Sequence, residues 1–471
     1  QTGARIASTN LEWRQVGFVH LGELTCKNIP RIHPEIWNPA CPPTAGWWPD
    51  PLLPVTQFSV TTNFSQPLWI TLHAPADAVP GRYAGTITLS PQGMAAIRVP
   101  LQVTVYPLVL APGPGHIQTA FSIEREHLRG ILGDVTPEIW RSYGKFMLQY
   151  RLNPTDLYSS KPPSVADLEY FLGEGIQSYN VANLSRKSPE AARTILKDFM
   201  DALSASPQGA ELRRRAYVYG FDEAGPSFFP KMKDLFGMIR RDFGVPTFTT
   251  AYIFNDPPAS LDPYNVSWVC PLSGPVEGGD VNQAFEPAKA ARARVSGHEV
   301  WAYICCNPGF PYANFMLGQN PAIESRILWW QLYREKIAGL LYWGVAVWPR
   351  PGNKQPIDPA QGPLVGWNVT TQIPEWSALH GDGLLIYPGI NGPMSSIRLE
   401  NIRDGIEDYE YLWQLAQASG GTSAASREAC EAITQGLTAF THNPEAVYIQ
   451  RDIIAHRIAS AQQTHVQREP R

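Results

Sequence analysis

The rhythm of hydrophobic and polar positions changes twice along this chain. Up to about residue 112 the apolar positions follow a period of two, clearly in Ile97-Arg-Val-Pro-Leu-Gln-Val-Thr-Val-Tyr106 and less regularly in Thr56-Gln-Phe-Ser-Val-Thr-Thr and Leu68-Trp-Ile-Thr-Leu. Asp77-Ala-Val-Pro-Gly81-Arg-Tyr83-Ala-Gly85 is a turn that leads into Thr86-Ile-Thr-Leu-Ser. Short strands between Pro/Gly turns predict a β-sandwich over residues 1–112, followed by a Pro/Gly-rich linker at 107–115. From residue 113 strand-like and helix-like stretches alternate. Strands are expected at 116–123, 154–158, 176–181, 216–221, 247–254, 266–271, 299–305 and 339–347, and helices at 137–150, 165–172, 189–205, 228–243, 282–295 and 321–336. Eight strands, most separated by a helix or long loop, predict a (β/α)8 TIM-like barrel spanning 113–395. A doubly wound sheet would favour a Gly-rich phosphate turn after its first strand, and no G-x-G-x-x-G is present there. Beyond a Pro/Gly-rich stretch, Leu399, Ile402, Ile406 and Tyr409 fall on one helical face. With further helices at 424–439 and 444–461 and a frayed end at 462–471, residues 396–471 form a helical C-terminal extension to a multidomain α/β protein.

The chemistry concentrates where the fourth barrel strand ends. Tyr217-Val-Tyr-Gly-Phe-Asp222-Glu223 is an aromatic, β-branched strand closing on two adjacent carboxylates, with a helix directly after. The carboxyl ends of barrel strands are where such folds place catalytic groups. Two acids there suit glycosidic bond cleavage, which needs a proton for the leaving oxygen and a negative group beside the developing positive charge. Side chains of neighbouring strand residues point apart, but at a strand end turning into a loop both can converge, and their proximity separates their proton affinities. The competing explanation is that Asp222 and Glu223 cap the following helix. Aromatic residues recur at other strand ends: Tyr252, Trp268, Tyr303, Tyr342, Trp343 and Trp348. They are placed either to stack on sugar faces or to fill the core, and Tyr303 and Trp343 are the preferred stacking residues. Asn307 opens a polar-aromatic loop after the seventh strand that either rims the site or merely turns the chain. The Arg398, Glu400, Arg403, Asp404, Glu407, Asp408 cluster fits a solvated or interdomain salt-bridge face better than catalysis.

Composition narrows the choice. The net charge is −4 and no basic run occurs, which disfavours nucleic acid or an anionic membrane as partner. No apolar run is long enough for a membrane span. With 17% charged residues, 44 prolines and 15 tryptophans, the chain suits either a loop-rich glycan-binding extracellular protein or simply a large core. The six cysteines form no CxxC and have no histidine at ligand spacing, so a zinc site is not expected. Cys26 and Cys41 flank a Pro-rich loop, as a disulfide or as thiols. Sequons at Asn63, Asn183, Asn265 and Asn368, and a start at Gln1 that reads as a mature or trimmed product, point to a secreted or other extracytoplasmic location.

Several of these segments resemble glycoside hydrolase family 123, the β-N-acetylgalactosaminidases. Gly220-Phe-Asp222-Glu223 is similar to its catalytic pair, as are Arg326-Ile-Leu-Trp-Trp, Gly339-Leu-Leu-Tyr-Trp343 and Gly381-Asp-Gly-Leu-Leu-Ile-Tyr-Pro-Gly to its other segments. Ile397-Arg-Leu-Glu-Asn-Ile-Arg-Asp-Gly-Ile-Glu-Asp-Tyr-Glu-Tyr-Leu marks a broader superfamily, and Val79-Pro-Gly-Arg-Tyr-Ala-Gly fits the domain preceding the barrel. The resemblance implies release of terminal β-linked N-acetylgalactosamine by a retaining, substrate-assisted mechanism, with a glycan or glycoconjugate ending in β-N-acetylhexosamine as partner and no metal or organic cofactor. Asp222 would orient the 2-acetamido group, and Glu223 would be the acid and then the base. Where relatives carry an Asn after the eighth-strand Trp, this chain has Val345-Ala-Val-Trp348, which keeps another hexosaminide open. A glycosidase for a non-acetamido sugar and a non-catalytic glycan-binding protein on the same scaffold also stay open. The substrate-binding set expected from the residues is Tyr252, Tyr303, Trp343, Trp348 and Asn307, around Asp222 and Glu223.

Overall fold

The structure is a computed structural model. It describes residues 3–21, 46–250, 267–272, 285–305, 308–309, 311–318, 320–348, 357, 381–421 and 424–466. Its first part is antiparallel. β1 (Leu11–Leu21) lies between β2 (Gly46–Leu53) and β3 (Leu68–Leu72), while β4 (Gly81–Leu89) and β5 (Ile97–Val105) form a separate hairpin. The hairpin register follows the alternation in the sequence: Tyr83 opposes Val103, Ile87 opposes Val99 and Leu89 opposes Ile97, so apolar side chains share one face. Two sheets packed as the expected sandwich are not found among the described residues. Thr56–Thr62 is not a strand; instead Phe58 packs edge-on against Trp13, with ring centroids 5.9 Å apart.

Eight parallel strands follow: β6 (Gln118–Ser122), β7 (Pro154–Thr155), β8 (Tyr179–Asn180), β9 (Ala216–Tyr219), β10 (Thr247–Thr249), β11 (Ser267–Pro271), β12 (Glu299–Ile304) and β13 (Gly339–Tyr342). They run β7-β6-β13-β12-β11-β10-β9-β8 across one sheet. That is the neighbour order the eight-strand rhythm predicts, but no backbone ladder joins β7 to β8, so a closed barrel is not found among the described residues. Both strands at the gap are only two residues long. Side chains span it instead: the Asn180 backbone N–H donates to Thr155 Oγ1 at 2.9 Å and Asn180 Nδ2 donates to the Asp156 carbonyl at 2.9 Å.

Between these strands run α1 (Arg125–Leu132), α2 (Pro137–Gln149), α3 (Val165–Gly173), α4 (Pro189–Ser204), α5 (Gly209–Arg215), α6 (Phe229–Phe243), α7 (Pro287–Val295) and α8 (Glu324–Arg334). After the short hairpin β14 (Tyr387–Gly389) and β15 (Gly392–Met394) come α9 (Ile397–Ala418), α10 (Ala424–Glu431) and α11 (Pro444–Val466). Four helix starts carry the side-chain caps their sequences imply, with Thr136, Ser164, Ser188 and Ser396 each accepting a backbone N–H. The short helices α1 and α5 escape the periodicity reading, and α10 stops at Glu431, well before residue 439.

Aromatic rings fill one face of the parallel sheet. Phe248 sits 4.7 Å from Tyr217, 5.3 Å from Tyr219 and 5.2 Å from Trp301, centroid to centroid. Gly339 faces this layer, where a Cβ would lie 2.4 Å from the Trp301 indole. On the outer side α8 and α9 touch closely. The charged cluster of α9 is largely buried there rather than solvated. Arg326 Nε donates to Asp408 Oδ2 at 2.6 Å, Trp330 Nε1 to the same oxygen at 2.9 Å and Arg451 Nε to Asp408 Oδ1 at 2.5 Å. Arg398 Nη2 donates to Asp50 Oδ2 at 2.8 Å, which ties α9 to β2. Complementary partners from other elements, invisible in the local i, i+4 spacing, explain why these charges tolerate burial.

Candidate active site

The chain after β9 leaves the sheet through a strained turn. Gly220 ends the extended run, and Phe221 (φ 56°) and Glu223 (φ 45°) both adopt the left-handed conformation that β-carbons disfavour. Two hydroxyls from the end of β10 hold the turn. Thr249 Oγ1 donates to the Phe221 carbonyl at 2.8 Å, and the Glu223 backbone N–H donates to Thr250 Oγ1 at 3.1 Å. Phe221 is buried against Phe236 of α6, with ring centroids 5.3 Å apart, while Asp222 and Glu223 are exposed. Strain of about 1–3 kcal/mol per residue is held where the surroundings over-determine the backbone, and such turns cluster at functional sites.

Neither acid caps α6. A 3₁₀ turn at Pro226–Phe228 intervenes, and the first turn of α6 has no acidic residue and no side-chain cap. The carboxylates are instead engaged by hydroxyls. Tyr219 Oη donates to Asp222 Oδ1, Thr250 Oγ1 donates to the same oxygen at 2.8 Å, and the two hydroxyl oxygens are 2.7 Å apart. Across the sheet edge Tyr303 Oη, from β12, donates to Glu223 Oε1 at 2.8 Å. The Tyr158 ring stands edge-on to Tyr219 at 6.3 Å. Burial pushes the Tyr158 phenol well above its ordinary range, with Asp222, Glu124, Cys305 and Glu223 adding to the shift in that order. Four strand ends therefore meet in one place: β7, β9 and β12 bring acids and phenols, and β10 brings threonine hydroxyls.

The aromatic residues divide. Tyr303 is 8% exposed and held by its hydroxyl bond to Glu223. Trp343, just past β13, is half-buried and lies against Gly383, where a Cβ would come within 2.7 Å of the indole. Trp348 is core: it is 3% exposed and its Nε1 donates to the Ile386 carbonyl at 2.8 Å, so packing and hydrogen bonding account for it. Tyr252 and Asn307 lie outside the described residues, as do Cys26 and Cys41. The sequon residue Asn183 uses its side chain internally, with Nδ2 donating to the Leu157 carbonyl at 3.3 Å. Sequence reasoning does not single out Tyr219, Thr250 and Tyr158, which the structure places around Asp222. Their only signal is the position of each at or beside a strand's carboxyl end, the same rule that finds the acids. Among the described residues no group of three or more His, Cys, Asp or Glu could hold a metal ion, and no helix is long and apolar enough to cross a membrane.

A parallel eight-stranded sheet whose carboxyl edge presents adjacent acids among aromatic residues is the setting of a glycoside-cleaving enzyme. Residues 162–415, more than half of the chain, match the model of the glycoside hydrolase 123 catalytic domain. The chain belongs to glycoside hydrolase family 123 and is a glycosidase. Among solved structures it is similar to a family 123 glycoside hydrolase from Clostridium perfringens, studied for glycolipid glycan hydrolysis. The TM-score is 0.65 and the identity 13%, over 99% of this chain and 87% of that one, a likeness of fold. No curated protein sequence matches.

Proposed function

We propose that the protein releases terminal β-linked N-acetylgalactosamine with retention, using the sugar's own 2-acetamido oxygen as nucleophile. The observation that carries this reading is the placement of Asp222 and Glu223 side by side on one turn, each bonded by a different phenol. Consecutive side chains anchored to different strands are suited to two neighbouring tasks on one sugar. The acetamido oxygen attacks C1 as the glycosidic C1–O bond breaks, and Glu223 gives its proton to the departing oxygen. Asp222 accepts the acetamido N–H and offsets the positive charge of the oxazolinium ring. Water then attacks C1, Glu223 takes its proton, and the ring opens back to the acetamide. This route is an exception to the scheme with a protein carboxylate as nucleophile, and it needs no metal or organic cofactor. Trp343 would supply the sugar platform. The terminal sugar of a glycolipid glycan is a substrate class consistent with the Clostridium perfringens relative.

Glu223→Gln lowers kcat/KM on an aryl β-N-acetylgalactosaminide by about 10²–10⁴-fold, the usual scale of general acid–base catalysis. Asp222→Asn lowers turnover even with an activated leaving group, because the acetamido group participates in both steps. A thiazoline analogue of the intermediate inhibits. Near-normal turnover by Glu223→Gln, or no thiazoline binding, overturns the assignment.

A further inference from the structure

The hydroxyls around Asp222 permit an inference that rests on the reading above and deepens it. Three close approaches link Tyr219 Oη, Thr250 Oγ1 and Asp222 Oδ1, yet only two hydroxyl hydrogens are available to serve them. The Glu223 backbone N–H already occupies one acceptor position on Thr250 Oγ1. Either both hydroxyls donate to Oδ1, or one donates to the other and the second donates onward to Oδ1. In each arrangement Oδ1 accepts at least one hydroxyl hydrogen. Among the described residues no hydrogen bond reaches Asp222 Oδ2. Both donors are rigidly seated: Tyr219 is 0% and Thr250 1% exposed, and the Tyr219 backbone N–H donates to Asn180 Oδ1 at 2.9 Å.

We propose that Tyr219 and Thr250 are positioning residues that hold Asp222 as an acceptor through Oδ1 and thereby present Oδ2 to the substrate's acetamido N–H. Burial raises the Tyr219 phenol well above its ordinary range, with Tyr158 and Asp222 adding to it, so it remains a neutral donor. Among the described residues, the titratable groups around Asp222 are Tyr219, Glu223 and Tyr158, with Glu124 and Cys305 also acting on Tyr158 and Tyr303 bonded to Glu223. Of these only Tyr219 shares a hydrogen bond with Oδ1; the other hydroxyl there is that of Thr250. Removing either donor therefore makes protonation of Asp222 easier and loosens its aim.

The test compares Tyr219→Phe, Thr250→Val and Thr250→Ser with the wild type on an aryl β-N-acetylgalactosaminide across pH. Tyr219→Phe and Thr250→Val each lower kcat by about 10- to 100-fold, the scale of a lost hydrogen bond to a charged group, with a smaller change in KM. In both, the acidic limb of kcat/KM moves to higher pH by about one unit. Thr250→Ser keeps the hydroxyl and stays near the wild type. An unmoved acidic limb in both variants, or Thr250→Ser as impaired as Thr250→Val, overturns the proposal. If the wild type turns over only a glycoside without an acetamido group, the proposed function falls. The same limb is then read on that substrate and still decides the positioning roles. If no glycoside is turned over, the Asp222 carboxyl is titrated by ¹³C NMR, its resonance assigned with Asp222→Asn. A midpoint that rises in Tyr219→Phe supports the proposal, and an unchanged one overturns it.

Discussion

Glu223 is exposed, but one of its oxygens is committed: Tyr303 Oη donates to Oε1 at 2.8 Å, across the sheet edge from the strand that carries the acid. In the proposed route this bond helps to orient the carboxyl toward the glycosidic oxygen. Tyr303→Phe preserves the ring and removes the bond. It is expected to lower kcat/KM by about 10-fold, since a hydrogen bond to a charged group is worth about 1.5–3 kcal/mol; an unchanged value from steady-state kinetics would separate Tyr303 from the acid. The sequence marks Tyr303 as a candidate because it closes a strand, though as a sugar-stacking ring rather than a hydroxyl donor to Glu223. The difference is geometric. Strand alternation tells which face a side chain takes, but not whether its tip meets a partner from three strands away. Thr250 is illegible for the same reason: one small polar residue at a strand end carries no local signature until Asp222 is seen against it. Trp348 errs the other way, because the strand-end rule cannot distinguish the site from the core a few residues further along.

The elements show where local pattern suffices. The eight parallel strands and the long helices are governed by periodicity and caps, and all fall near their expected places. What the pattern could not specify is closure, because that depends on β7 and β8, where side chains substitute for a ladder. The contact between α8 and α9 likewise turns on a residue with no hydrophobic signal. A Cβ at Gly405 would lie 2.2 Å from Trp329 Cδ1 and 2.8 Å from the Arg326 carbonyl oxygen. Gly405→Ala gains helix propensity but drives the helices apart, a cost of about 1–3 kcal/mol for overpacking. Urea unfolding is expected to show that loss, and a variant as stable as the wild type would mean the two helices separate without strain. The charged face of α9 reads from local spacing as either solvated or a salt-bridge face between domains; Arg398, Glu400 and Asp408 are buried, and their partners Arg326, Arg451 and Asp50 come from far away in the chain.

At the scale of the whole molecule, buried carboxyls shape the response to pH in opposite directions. Burial raises Asp382 from 3.8 to about 6, against lowering contributions from Trp343, Tyr342 and Arg398. Between about pH 4 and pH 6 the folded chain holds a proton that the unfolded chain has released, so stability falls as pH rises through that window. The scale is about 3 kcal/mol at 1.36 kcal/mol per unit. Asp382→Asn should flatten that slope in urea unfolding between pH 4 and pH 7; an unchanged slope would remove Asp382 as its source. Burial would also raise Asp408, but Arg326 and Arg451 outweigh it and hold it below 3.8, so its contribution is lost only as pH falls through that lower value. This buried framework carries two exposed acids whose proposed target is a 2-acetamido sugar. Paired aryl β-glycosides, N-acetylgalactosaminide against galactoside, probe that target most directly when the anomer released is followed by NMR. Turnover of the N-acetyl sugar alone is expected, with β-configured product first, and its loss in Asp222→Asn. Comparable turnover of the galactoside, or an inverted product, would show that the acetamido group is not the nucleophile.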